Sequence, residues 1–362
     1  RGQADHPRGL ESDRPGGDES FVLYHSSDSI IENSIAEFET RGFEIHGGTT
    51  FDGQPGGYRN QVLGSIHFTG HSADHFGAGA DTRMGEGTGF VVRPAYDNLF
   101  RDLLIIDPSS TGAILRSAVG VKLENVTIYN GASAAIRAME RSRRFLARRG
   151  QRPVCGESID DPFFEGMDKS IFPGAAFDCS LRLRNSLIWS NRGAALQADD
   201  SWLWSIEHSN LFGNVGGNFP VRESISDGEG RIRFSRSVEP TGMGPKGNGT
   251  LVYVPDGSNM RHAGAEGADV GATILCRYEE GRLTAEPLWD PETGAFPCGA
   301  EVPGINDAPR SCSSVHQRLA VNQTTLGNAL DRCAPEAAQV PFAGLRRPSR
   351  ARSGRPIDSH WR

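Results

Sequence analysis

A spacing of 23 residues recurs along this chain and constrains its fold more than any other feature. Asp102, Asn125, Asn185 and His208 fall in one column: the first pair and the last pair are 23 apart, and Asn125 and Asn185 are separated by one repeat plus an insertion of 37. Ile105, Ile128, Ile188 and Leu211 form a second column, and Leu123, Leu183 and Ile206 a third. Earlier copies lie at Asn33 (IIENSIAEF) and Gly64 (VLGSIHF), where the intervals stretch to 31 and 38. A period of this size means a stack of repeats, each burying its apolar face against the next.

The pattern inside one repeat decides which kind of stack. In GVKLENVTIYN, Val121 and Leu123 alternate with Lys122 and Glu124, Asn125 interrupts, and the alternation resumes at Val126 and Ile128; LRLRNSLIWSN repeats this. That is the two-residue period of strands, not the apolar spacing of helical repeats. The fixed leucine lattice of leucine-rich repeats is missing too. The expectation is an all-β chain, a right-handed parallel β-helix with loop insertions and a disulfide-containing C-terminal appendage. Asn33, Asn125 and Asn185 are expected at an inward bend, their amides stacked from coil to coil.

The pattern N-x-x-I-x-N, as in NVTIYN, followed by a small residue and an apolar pair, resembles the bacterial right-handed parallel β-helix repeat family, which includes pectate-lyase-like lyases and hydrolases. The resemblance covers residues 20–222. Further on, GADVGATILCRYEEGRLTAEPLWD looks like a segment that follows the last coils in large secreted bacterial β-helix proteins. The resemblance implies a fold and an extracellular or cell-surface setting, while activity has to be argued from a site.

Composition narrows the classes. With 38 basic and 45 acidic residues the net charge is −7, and no basic stripe suits a nucleic-acid groove. No apolar run approaches the ~20 residues of a membrane span. The chain opens RGQADHPRGL, with neither an initiator Met nor an apolar export signal, so residue 1 is expected to be a processing or truncation point. A monomer is expected.

Six cysteines with no C-x-x-C pair argue for disulfides in an oxidising compartment. Cys155 and Cys179 bracket the largest insertion; Cys298 and Cys312 are the other local pair.

Residues 1–19 read as a flexible leader or truncated coil. The β-helix is expected over 20–222, with insertions at 46–59, 71–87 and 140–179 that leave on one side of the stack. A Cys-containing cap follows over 223–342, and a tail at 343–362 has the composition of disorder.

Insertions on repeat proteins gather on the binding face. The densest polar set is IHFTGHSADHFGAGADTRMGEG, with His67, His71, Asp74, His75, Asp81 and Arg83. His71, Asp74, His75, Asp81 and Arg83 are the candidate catalytic residues: a histidine base and an arginine clamp suit a uronate, whose α-proton becomes easier to remove when its carboxylate is paired. His46 and Arg93 are candidate substrate contacts. Metal binding by this loop competes with ordinary Asp and His loop hydrogen bonding. No cofactor is implied, and calcium is the cation a uronate site could use.

Aromatics offer another surface. Tyr129, Trp189 and Phe212 share the column beside the inward isoleucines, so they face outward, where rings bind sugars by stacking; the alternative is that the C-terminal appendage packs over them. Two readings stand. One is a secreted or surface β-helix that binds polysaccharide or cell-surface glycan without catalysis, and the other is a polysaccharide lyase or glycoside hydrolase acting on an anionic polymer. The signature strings of the pectinolytic hydrolases, classic pectate lyases and pectin methylesterases are absent from the sequence.

Overall fold

A computed structural model describes residues 19–37, 41–49, 55–68, 87–140, 155, 157–158, 178–199, 202–218, 232–246, 249–252, 254, 257–272, 276–287 and 324–325. Among them there is no α-helix, and three parallel sheets carry the architecture. Sheet A contains Glu19–Tyr24, Arg41–His46, Thr88–Val92, Ala113–Arg116, Ile136–Met139 and Leu196–Ala198. Sheet B contains Ile30–Glu32, Gln61–Leu63, Leu99–Arg101, Val121–Glu124, Ser180–Arg184, Leu203–Glu207 and Ile232–Arg233. Ile35–Glu37, Ile66–Phe68, Leu104–Ile106, Thr127–Tyr129, Leu187–Trp189 and Asn210–Phe212 form sheet C. The chain visits A, B and C in rotation, one strand per sheet, so each repeat is a rung of three strands stacked on the last. Parallel sheets stacked this way are compatible with a parallel β-helix.

Because the strands pair in parallel without slippage, a sequence column becomes a spatial row. Ile105, Ile128, Ile188 and Leu211 are direct neighbours across sheet C, and all are buried in the principal core. Leu123, Leu183 and Ile206 do the same in sheet B. A row of small residues faces the isoleucines from sheet A: a Cβ on Gly89 would lie 2.6 Å from Ile105 Cγ2, and one on Gly112 would lie 2.5 Å from Ile128 Cγ2. Sheets A and C therefore converge where only glycine leaves room for a branched partner.

The asparagine column corrects an expectation. Asn33, Asp102, Asn125, Asn185 and His208 all have φ between 47° and 53°, and Gly64 has φ 53°. They are left-handed corner residues between sheets B and C, a conformation that Asn, Asp, His and Gly tolerate best. Their side chains turn away from the interior instead of stacking in it. The amide ladders lie at other corners: Asn98 Oδ1 accepts from the Asn60 backbone at 2.9 Å, and Asn191 Nδ2 donates to Asn214 Oδ1 at 2.8 Å. Beside the left-handed corner runs a serine ladder, in which Ser186 Oγ accepts from Val126 N and Ser209 Oγ from Ser186 N, each at 3.1 Å.

The outward-turned corner side chains fasten the C-terminal segment. Asn185 Oδ1 accepts from Ala265 N at 2.8 Å, and the Asn185 carbonyl accepts from Gly271 N at 2.8 Å. Asn125 Nδ2 donates to the Asp269 carbonyl at 3.4 Å, and Thr127 Oγ1 accepts from Ala272 N at 2.8 Å. Farther on, Tyr278 OH donates to Asp102, while Asn33 Oδ1 accepts from Tyr278 N at 2.9 Å and its Nδ2 donates to Tyr278 O at 2.7 Å. Glu32 accepts from Gly281 N at 3.0 Å. The segment thus runs back from the fifth rung to the first as a strap. It ends in the antiparallel hairpin Cys276–Glu279 and Arg282–Pro287, which packs Tyr278 and Leu283 on Ile30, Leu63 and Leu99 of sheet B.

The insertions do not all leave on one side. The first follows Arg41–His46 and the third follows Ile136–Met139, both at the passage from A to B, whereas the second lies between Ile66–Phe68 and Thr88–Val92, at the passage from C to A. The first and third thus leave the C-terminal ends of sheet A strands, whereas the second leads into the N-terminal end of one.

Cys155 and Cys179 are bonded to each other across 24 residues, with Cα atoms 5.0 Å apart; both are buried in the principal core. Replacing both by alanine is expected to cost ~3 kcal/mol by freeing the loop in the unfolded chain, measurable as a lower urea midpoint. An unchanged midpoint would show that the bond constrains nothing. Cys276 is also disulfide-bonded, whereas Cys298 and Cys312 lie outside the described residues.

Candidate functional site

The outward face of sheet A gathers a carboxylate, two guanidiniums, two imidazoles and a phenol on the first three rungs. Tyr24 and His46 are direct neighbours in the parallel register. Strands lie about 4.8 Å apart, so flat rings at paired positions stack: the Tyr24 and His46 centroids are 4.4 Å apart at 19°. The chain turns at His25, whose φ is 51°, and this places its ring 4.1 Å from Tyr24. The two imidazoles lie 5.6 Å from each other, so both pack against Tyr24 from adjacent directions and the ring stays 53% exposed.

Arg93 continues the row beyond His46, since Ile45 pairs with Val92. Its Nε lies 2.6 Å from Glu44 Oε1, and Arg41 Nη1 lies 2.9 Å from Glu44 Oε2. Glu44 points away from the interior but is only 2% exposed, so two cations bracket a buried anion, and such charges persist only when paired. Arg93, a candidate substrate contact, is thereby already paired within the fold. A substrate carboxylate would have to compete with Glu44 for the same guanidinium.

Burial pushes the pKa of His46 down to about 3, with further lowering from Arg93 and then His25. Burial also lowers His25. His46 is therefore a neutral ring at neutral pH, able to donate and accept hydrogen bonds and to stack. A general base works best with a pKa near the operating pH, so His46 is suited to holding a ligand and poorly suited to taking a proton.

Next to this patch, Arg59 grips Asp28 with two hydrogen bonds of 2.6 and 2.8 Å. Its guanidinium lies 4.5 Å over the Tyr58 ring, and Tyr58 stacks on Tyr96 at 4.9 Å. Tyr24, His25, Tyr58 and Arg59 were not singled out from sequence. The signal that could have found them is the placement of aromatic and basic residues at one corner of consecutive rungs.

His46 and Arg93 are thus brought together, while His71, Asp74, His75, Asp81 and Arg83 lie outside the described residues. His67, in the same sequence cluster, turns inward. It pairs with Ala36 and Ile105 in sheet C, and its ring is fully buried.

Tyr129, Trp189 and Phe212 face outward in one row of sheet C, as the register requires, but the row is covered. Leu187 and Trp189 are buried against Val254, Met260 and Val270, and Tyr129 and Phe212 pack on the same cluster with Met243 and Ala263. An outward apolar row gains more from the strap than from water. The row serves as a dock for this segment, with Trp189 buried and Tyr129 and Phe212 partly buried.

No group of three or more His, Cys, Asp or Glu residues that could hold a metal ion occurs among the described residues. Nor is any described helix long and apolar enough to cross a membrane. No family model matches the chain, and no curated protein or solved structure is detectably similar to it.

Proposed function

We propose that this chain is an exported, right-handed parallel β-helix that binds polysaccharide on the outward face of sheet A without catalysis. The observation that carries the binding reading is Tyr24, a half-exposed ring made rigid by His25 and His46. A fixed flat aromatic beside polar side chains offers a sugar ring both a stacking surface and hydrogen-bond partners. The depressed pKa of His46 supports binding over proton abstraction.

Right-handedness is supported by the rule that a crossover between parallel strands of one sheet is right-handed in about 98% of cases; successive strands of sheet A are joined by such crossovers through B and C. Export is supported by the bonded Cys155, Cys179 and Cys276, because structural disulfides persist in oxidising compartments.

The test is affinity electrophoresis and calorimetry with alginate, pectate and glycosaminoglycans, alongside ultraviolet detection of unsaturated products. The expected result is binding without product, weakened about tenfold in Tyr24→Ala, since a lost aromatic contact of ~1.4 kcal/mol is a factor of ten. Binding that survives Tyr24→Ala and His46→Ala would place the contact elsewhere. Release of unsaturated sugar that is lost in a His75→Ala, Arg83→Ala variant would instead establish a lyase.

A further inference from the structure

His67 is the one residue in the interior row of sheet C, among Ala36, Ile105, Ile128, Ile188 and Leu211, that carries a titratable side chain. It is 0% exposed, and neither Nδ1 nor Nε2 has a hydrogen-bond partner. A neutral imidazole must place its N–H on one of those nitrogens, so a buried donor and a buried acceptor both go unmet, an uncommon state for polar atoms in a folded interior.

The described neighbours of the ring are apolar or backbone. Ala36 lies on one side in the sheet and Ile105 on the other. Gly42 faces the ring from sheet A so closely that a Cβ there would overlap it. The titratable and charged groups of that sheet A strand, Arg41, Glu44 and the neutral His46, are engaged on its outward face. With no charged neighbour contributing, burial alone lowers the pKa of His67 to about 3.

We propose that His67 is an acid-sensitive latch within the first three rungs: protonating its ring, enclosed by Ala36, Gly42 and Ile105, unseats these rungs as the surroundings acidify. The sign follows from linkage. The unfolded chain binds a proton below its ordinary value of 6.5, while the folded ring resists until about 3, so stability is fully present above 6.5 and is lost progressively as pH falls through that window. His46 and His25, also lowered, lie on the same rungs and act in the same direction. Because a stacked-repeat protein gains stability rung by rung through nearest-neighbour contacts, the opening is expected to begin in this block.

The experiment is urea unfolding of the full chain at pH 7 and pH 4, for the wild type, His67→Leu and His67→Gln. Leu restores an aliphatic row; Gln keeps a buried polar group but does not titrate. Between the two pH values the wild-type unfolding constant is expected to rise on the order of 200-fold more than that of either variant. Equal pH dependence in all three overturns the latch. Should neither variant fold, the His67 ring resonance of the wild type decides: a signal that stays neutral above about pH 4 supports it, and one that titrates near 6.5 overturns it. At pH 4.5, amide exchange corrected for intrinsic rate should be faster at 61–67 than at 181–189, and uniform exchange would overturn the local opening.

Discussion

Replacing Ile128 by alanine is expected to lower the unfolding free energy by ~2–5 kcal/mol, the range for deleting a buried aliphatic side chain. Ile128 is fully buried, with Ile105 and Ile188 as its neighbours in the row. Across the interior its Cγ2 fills the space that Gly112 leaves empty. That wall is backbone, which relaxes little, so the cavity persists and the cost should fall in the upper part of the range. Coupling between rungs is nearest-neighbour, so a hole at the fourth rung should also loosen the cooperativity between the two ends of the stack. Urea unfolding followed by far-ultraviolet dichroism measures the first effect, and a broadened transition reports the second. A loss below 1 kcal/mol would mean that sheet A closes onto the vacated space.

Tyr278→Ala is expected to be as damaging although Tyr278 belongs to no rung. The side chain is 2% exposed, packs on Leu63 and Leu99, and donates its hydroxyl hydrogen to Asp102, which is itself buried. Burial, with the Asp102 carboxylate next, raises the phenol pKa well above its ordinary value, so it remains a donor across the physiological range. Truncation removes the aromatic packing and strips a buried carboxylate of its partner, for ~3–5 kcal/mol. Tyr278→Phe, which keeps the ring, should cost ~1–3 kcal/mol. The discriminating measurement is hydrogen exchange: in Tyr278→Ala, protection should be lost over 276–281 and at Asn33, which anchors the Tyr278 backbone. If exchange there is unchanged, the strap is held by its other fastenings and Tyr278 is dispensable to it.

What the sequence determined by itself was everything that repeats. In-register parallel pairing converts a 23-residue column into a row, so the interior course of Ile105, Ile128, Ile188 and Leu211 and the outward course of Tyr129, Trp189 and Phe212 are both legible in the sequence. One signal was present but misread. A column holding Asn, Asp, His and Gly together marks positive φ, whereas a stacked amide ladder would require amides at each position.

Tertiary structure alone decided what lies against the outward side chains. Whether Trp189 meets water or Met260 depends on a segment some 70 residues away that runs backward along the stack, and no local pattern encodes that contact. The same holds for Arg93, a candidate substrate contact in the sequence that is paired with Glu44 in the fold. It holds also for His67, whose loop-rich neighbourhood suggests a surface while the register turns it inward. Periodicity fixes the direction in which a side chain points, but its charge state and its access to a ligand depend on what packs over it, and in this chain the strap and the rung-to-rung stacking supply that.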